Sequence, residues 1–210
     1  MSAFTLLIIV AAAIGLGAMS PGPSFVVVAR ISISTSRGRG VLAALGMGIG
    51  AAFLAILALL GLRVVLEAAP SVYRALQIAG AVYLLFVAYK LWVGAAEPLE
   101  WGGEKTFGKS LGKNAFAFGL ATQLSNPKTA LVYTSVFSTA FPNTPSWTIV
   151  AILLLIVFMV EFGWYSLVAM AFSTVRARSF YLSWKAWIDR LAAGAIAILG
   201  VRIVANARFG

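Results

Sequence analysis

Two short segments hold most of the groups in this chain that could do chemistry. They are Ser20-Pro21-Gly22-Pro23-Ser24 and Gln123-Leu124-Ser125-Asn126-Pro127-Lys128-Thr129, and each interrupts a long apolar run. In both, a residue with a side-chain oxygen precedes proline: Ser20 before Pro21 and Asn126 before Pro127. That order is the signature of a helix start, with a cap followed by proline at the first helical position. Each run therefore contains a fresh helix N-terminus. Such ends carry unpaired N–H groups and about half a positive charge, so they attract anions. Lys128 adds a full positive charge beside the second break, and a carboxylate fits the combined field. The candidate binding residues are accordingly Ser20, Pro21, Gly22, Pro23, Ser24, Gln123, Ser125, Asn126, Pro127, Lys128 and Thr129. Glu161, within Met159-Val160-Glu161-Phe162-Gly163-Trp164, is the one acid well inside an apolar run. Its two functional readings are a proton carrier and a partner for a substrate amine. The blander readings are that the prolines only kink packed helices, that Lys128 snorkels to an interface, and that Glu161 forms a structural pair with a base.

Other chemistry is excluded by what is missing. The 210 residues include no Cys and no His. Disulfides, haem attachment and the usual zinc, copper and non-haem iron sites lose their ligands. Ser-His and Cys-His nucleophile pairs are absent too. An intramembrane enzyme would lack an acid–base couple, and a metal-cation exporter would want several buried carboxylates where Glu161 stands alone. Neither a metal nor a cofactor is expected. Gly103-Glu104-Lys105-Thr106-Phe107-Gly108-Lys109-Ser110 matches the phosphate-binding loop pattern. It lacks the strand, helix and sheet such a loop requires, and reads as a chance match.

The elements that position these groups are membrane helices. Apolar residues make up 61% of the chain, only 10% are charged, and the mean hydropathy is +0.98. A soluble domain of this size would carry roughly a quarter charged residues. A bilayer must cover the difference. Six windows reach the roughly 20 apolar residues that a spanning helix needs: about 4–33, 40–66, 71–93, 113–141, 147–174 and 187–205. The first and fourth carry the interruptions. The first 29 residues are uncharged, so the opening run lacks the positive start of a cleaved signal and reads as a retained span.

The net charge of +10 could suggest nucleic acid, but the bases are confined to short loops between spans. A nucleic-acid reader would present a basic face on a soluble fold, so no such partner is expected. The loops after spans 1, 3 and 5 hold eleven Lys and Arg and the opposite side four. The positive-inside rule puts the odd-numbered loops in the cytoplasm and both termini outside. The halves also look related. Ser20-Pro21 answers Asn126-Pro127, and Gln77-Ile78-Ala79-Gly80-Ala81-Val82 answers Leu191-Ala192-Ala193-Gly194-Ala195-Ile196. With three spans per half, the two would have opposite topology, which marks a transporter with its site near the midplane. The fold expected is all-α: one transmembrane domain over 1–210, with repeat A about 1–94, a cytoplasmic loop about 95–112 and repeat B about 113–210. Gly46-Met47-Gly48-Ile49-Gly50 reads as a surface for close helix packing, and Trp92, Trp147, Trp184 and Trp187 as interfacial anchors. The stretch from Arg176 to Arg190 reads as a linker on the membrane surface.

Several of these segments resemble the LysE/RhtB family of bacterial amino-acid exporters. They are Pro21-Gly22-Pro23, Gly38 and Gly40 leading into Gly46-x-Gly48-x-Gly50, Gly80-Ala81-Val82-Tyr83-Leu84, and Asn126-Pro127-Lys128. The likeness covers nearly the whole chain. It implies export of amino acids or close derivatives from the inner membrane, driven by the proton motive force, with an amino acid and protons as partners. A homodimer is compatible with it. Many members carry an acidic residue directly after Pro-Gly-Pro, where this chain has Ser24. Glu161 is the residue that could stand in for it.

Overall fold

The computed structural model describes residues 3–19, 22–68, 70–96, 114–141 and 144–209. Eight helices and no strands occur among them. In chain order they are α1 (Ala3–Met19), α2 (Pro23–Ser34), α3 (Arg37–Ala68), α4 (Pro70–Gly94), α5 (Ala115–Leu124), α6 (Pro127–Ala140), α7 (Trp147–Phe172) and α8 (Val175–Phe209). Proline and capping residues set most of these starts. Pro23, Pro70 and Pro127 are each the first residue of a helix, a position where the missing N–H costs nothing. Ser146 caps α7 by accepting from the Ile149 N–H, and the Ser36 hydroxyl accepts from the Arg39 N–H at the start of α3.

The six segments expected from the sequence correspond to these helices, the first as α1 and α2 and the fourth as α5 and α6. By length and composition, α3 and α7 are long and apolar enough to cross a membrane. The pair α1 and α2 qualifies together, bent by 58° at its break. Two expectations are corrected. The last helix starts at Val175 rather than near Trp187, because only Ser173 and Thr174 separate it from α7. The Arg176–Arg190 stretch is therefore the opening turns of α8, not a surface linker. The helix start in the first break also lies later than expected. Gly22 is the cap and Pro23 the first helical residue, since Pro23 fixes the φ of a helix and leaves Gly22 extended. Ser20 and Pro21 lie outside the described residues, as does the phosphate-loop match at 103–110.

Helix α3 is the central element, packed along α5 and α7, and α4 runs against α8. Glycine permits the closest approach. A Cβ on Gly46 would overlap the Phe116 carbonyl oxygen, and one on Gly119 would overlap the Ala43 carbonyl, so α3 and α5 meet backbone to backbone. Gly50 lies against Gln123 and Gly48 against Phe158 and Phe162. The glycine run is thus a packing surface, as its spacing predicts.

Two apolar clusters form the interior. One gathers Val10, Ile14, Leu59, Leu84, Val136, Phe137 and Leu153 among others. The second gathers Phe25, Val28, Met47, Val168 and Phe172. The buried stripe of α7 runs Leu153, Val157, Glu161, Tyr165, Ala169, one residue per turn. It passes from one cluster to the other with Glu161 between them. The outer surface is apolar as well, with Val64, Met159, Leu191 and Ile198 more than half exposed. An exposed apolar belt of this kind needs lipid around it. Trp92, Trp147, Trp184 and Trp187 are all exposed on this surface. The Arg63 guanidinium lies 5.7 Å from the Trp147 ring and that of Arg190 6.0 Å from Trp92.

Candidate transport site

The two helix breaks meet between the apolar clusters. Ser24, in the first turn of α2, is buried, and so is Asn126, the cap of α6. The Asn126 amide donates from Nδ2 to Ser24 Oγ at 2.9 Å. Ser24 Oγ in turn donates to Gln123 Oε1 at 2.7 Å. The other end of that amide, Gln123 Nε2, reaches Glu161 Oε2 at 3.4 Å, while the Tyr133 hydroxyl donates to Glu161 Oε1 at 2.7 Å. One hydrogen-bonded chain therefore runs from both breaks to the buried carboxyl. Short spacing and an acidic acceptor make the Tyr133 bond its strongest link.

Local sequence explains the arrangement. Proline at 127 prevents α5 from continuing, so the chain turns at Ser125-Asn126 and restarts. Asn126 Oδ1 then accepts the Lys128 N–H at 3.0 Å, the cap geometry expected from the sequence. The cap of α2 is Gly22, which has no side chain to play the same part. The start of α2 and the start of α6 both face the site, and Asn126 covers part of the α6 end.

Lys128 is held by the first break. Its ammonium donates to the Gly17 carbonyl at 3.3 Å, in the last turn of α1. Carbonyls there have no partner within the helix, and the helix end is negative. The site therefore contains both signs of helix end: the starts of α2 and α6, and the finish of α1. Between them lies a cavity of about 20 Å³, lined by Gly17, Gly22, Ser24, Lys128, Glu161 and Tyr165 with their neighbours. It has room for about one water molecule.

Of the residues expected from the sequence, Gly22, Ser24, Asn126, Lys128, Thr129 and Glu161 line this cavity. Gln123 supports it through the hydrogen-bond chain. Ser125 does not join them. It is exposed and its backbone ends α5 by bonding the Ala121 carbonyl. Pro23 and Pro127 are exposed too, and act by starting helices rather than by contact. Tyr133 and Tyr165 were not anticipated. Both were within reach of a helical-spacing argument, since Tyr133 is four residues past Thr129 and Tyr165 four past Glu161.

Comparison with known proteins gives the family. Residues 16–207 match the LysE type translocator family. The chain belongs to that family. This translocator is 28% identical over 192 residues to the threonine efflux protein of Escherichia coli K12, covering 89% of this chain and 91% of that one. It is similarly 28% identical to the threonine efflux protein of Salmonella typhi over 89% of this chain and 91% of the relative. It is also 30% identical to an uncharacterized membrane protein of Haemophilus influenzae, over 90% of this chain and 91% of that protein. No solved structure matches it. With its apolar helices, the translocator is a multi-pass membrane protein.

Proposed function

We propose that this translocator exports amino acids across the bacterial inner membrane in exchange for protons. The observation that carries the reading is the meeting of two broken helices at one buried carboxyl, joined by the Asn126–Ser24–Gln123–Glu161 chain. The start of α2, with the α6 end and Lys128, offers a substrate carboxylate N–H groups and positive charge. Glu161 and the carbonyl end of α1 offer a substrate amine negative ones. A zwitterion satisfies both sets together, which a simple anion or cation cannot. Relatives named as threonine efflux proteins support an amino-acid substrate.

In this reading the eight helices form six spans as two inverted repeats of three, with α1 and α2 answering α5 and α6. Both termini are periplasmic, a placement that the charge of the loops supports. Ser24 takes the place of the acidic residue frequent in the family, and its hydroxyl hands the role to Glu161 through Gln123. Alternating access follows from one repeat rocking against the other.

The test is efflux from liposomes containing the purified protein and loaded with a mixture of labelled amino acids. Loss of one or a few of them, faster when the outside is acidified, is expected. Equal retention of every amino acid with and without protein would refute the reading.

A further inference from the structure

Helix α8 is longer than a bilayer requires. Its 35 residues rise over roughly 52 Å, against a hydrocarbon core of about 30 Å. Charges crowd its start: Arg176, Arg178, Lys185, Asp189 and Arg190 all precede Leu191. The surplus length therefore belongs to the first turns, which lie at headgroup depth. One side of those turns is aromatic. Phe180, Trp184, Trp187 and Leu191 recur at helical spacing, and each is more than half exposed. The Phe180 and Trp184 rings lie 6.2 Å apart.

Beside this stripe, the Arg190 guanidinium lies 6.0 Å from the ring of Trp92 on α4. Buried groups hold the two helices in that register. The Lys185 ammonium donates to the Gly94 and Ala95 carbonyls at 3.3 Å each, and to Asp189 Oδ2 at 2.9 Å. A guanidinium resting on an aromatic face keeps its N–H edge free, and that edge matches the oxygens of a phosphate. Among the described residues no carboxylate pairs with Arg190. The same arrangement at the other end of the bundle differs in this respect. Arg63 lies 5.7 Å from the Trp147 ring, but its Nε donates to Glu67 at 2.9 Å, so its edge is taken. Helices α4 and α8 contain a single acid, Asp189, which is 3% exposed and bonded to Lys185. Lys90, Arg176 and Arg178 add positive charge on the same side of the protein. The segment 97–113 holds three acids and three lysines and adds no net charge to that side.

We propose that the corner between α4 and α8 binds an anionic phospholipid. Arg190 holds the phosphate through two parallel N–H bonds, Trp92 backs the guanidinium, and the acyl chains lie along Trp187 and Leu191. On the topology proposed above, the lipid belongs to the cytoplasmic leaflet. A zwitterionic phospholipid brings the same phosphate together with an ammonium, which the surplus of cations repels; an anionic headgroup is attracted as a whole. A second copy of the chain fits the exposed stripe less well. A two-fold contact there would set Arg190 and its basic neighbours against the same groups of the partner, with no exposed acid in either helix to offset them. The site shares no residue with the transport cavity and does not depend on which solute is exported.

The experiment is thermal unfolding of the purified protein in mild detergent, titrated with phosphatidylglycerol or with phosphatidylethanolamine of the same acyl chains. Phosphatidylglycerol is expected to raise the melting temperature of the wild-type protein at concentrations at least tenfold lower than phosphatidylethanolamine does. Arg190→Gln, on the protein surface, should elute as a monodisperse protein, melt normally without lipid and lose that preference. Trp92→Ala should weaken it. Arg63→Gln, whose guanidinium is already paired, should keep it. Equal midpoints for the two lipids on the wild-type protein would overturn the proposal, as would a full preference surviving in Arg190→Gln. Loss of the preference in Arg63→Gln to the same extent would overturn the assignment to this corner. A dimer that Trp187→Ala dissociates, and that phosphatidylglycerol leaves intact, would give the stripe to a second copy and refute the lipid site.

Discussion

Replacing Lys128 with methionine should separate stability from function in opposite directions. A lysine near the middle of a span costs roughly 2.5–3.5 kcal/mol on insertion scales. Here it recovers part of that through interactions that include a hydrogen bond to the Gly17 carbonyl, and bonds to charged donors contribute about 1.5–3 kcal/mol. Methionine matches the length of the stem and fills the same space without the charge. The Lys128 N–H stays bonded to Asn126 whatever the side chain, so the start of α6 survives. The two contributions leave stability unchanged or raised by about 1 kcal/mol, a few degrees in melting temperature for a chain of this length. Export, by contrast, should fall to background, because the site loses its one full positive charge. Melting of the detergent-purified protein and amino-acid efflux from liposomes would be measured on the same preparation. A variant that exports normally would remove Lys128 from the site. A variant that melts many degrees lower would show that the ammonium is structural, and the argument from helix ends would fail.

Three further outcomes follow from the same geometry. Tyr133→Phe deletes the shortest hydrogen bond to Glu161 and should slow export about tenfold or more, the equivalent of at least 1.4 kcal/mol, with no change in folding yield; an unaltered rate would exclude the bond from the mechanism. Asn126→Ala loses both the α6 cap and the link to Ser24, and should lower stability by about 1–3 kcal/mol, read as a lower melting temperature together with weaker export. Gly46→Ala places a methyl group on the Phe116 carbonyl, while Gly61→Ala meets open space. The first should destabilise by about 1–3 kcal/mol and the second should be neutral or stabilise by up to about 1 kcal/mol. Equal melting temperatures for the two would contradict the packing of α3 on α5.

Much of the site could be read from local sequence because its makers act locally. Proline removes a donor wherever it stands, so the breaks near 21–23 and at 126–127 follow from residue type alone. Asn126 and Ser146 are caps by the same reasoning. Which of two successive prolines begins the helix is a finer matter. Pro21 and Pro23 both satisfy the rule, and the structure selects Pro23 with Gly22 extended before it. The tyrosines escaped notice because an aromatic residue in an apolar helix ordinarily signals core packing. Only a facing carboxyl turns Tyr133 into a donor. Asp189 was hidden for a related reason. It sits among Arg176, Arg178, Lys185 and Arg190, where a sequence reads as surface, until α8 proves to start at Val175 and carries it inward.

The small size of the chamber sets a condition on any transport cycle. A cavity of about 20 Å³ holds a water molecule and not an amino acid, so one of the flanking clusters must part. On one side, Phe25 meets Phe172 edge-on at 5.4 Å between α2 and α7, in the cluster shared by α2, α3 and α7. On the other, the Tyr133 and Phe137 rings lie 5.6 Å apart, tilted by 34°, on α6 and pack into the cluster shared with α1, α3 and α7. The backbone contact of α3 with α5 through Gly46 and Gly119 leaves no gap for sliding. The α2 contacts are made by side chains that can change rotamer. Opening at α2 would also stretch the Ser24–Asn126 bond and expose the first turn of α2, where the proposed function puts the substrate carboxylate. On the proposed function, gate and binding site then share one element, so a substrate that engages the α2 N–H groups shifts the population between states by the interaction itself.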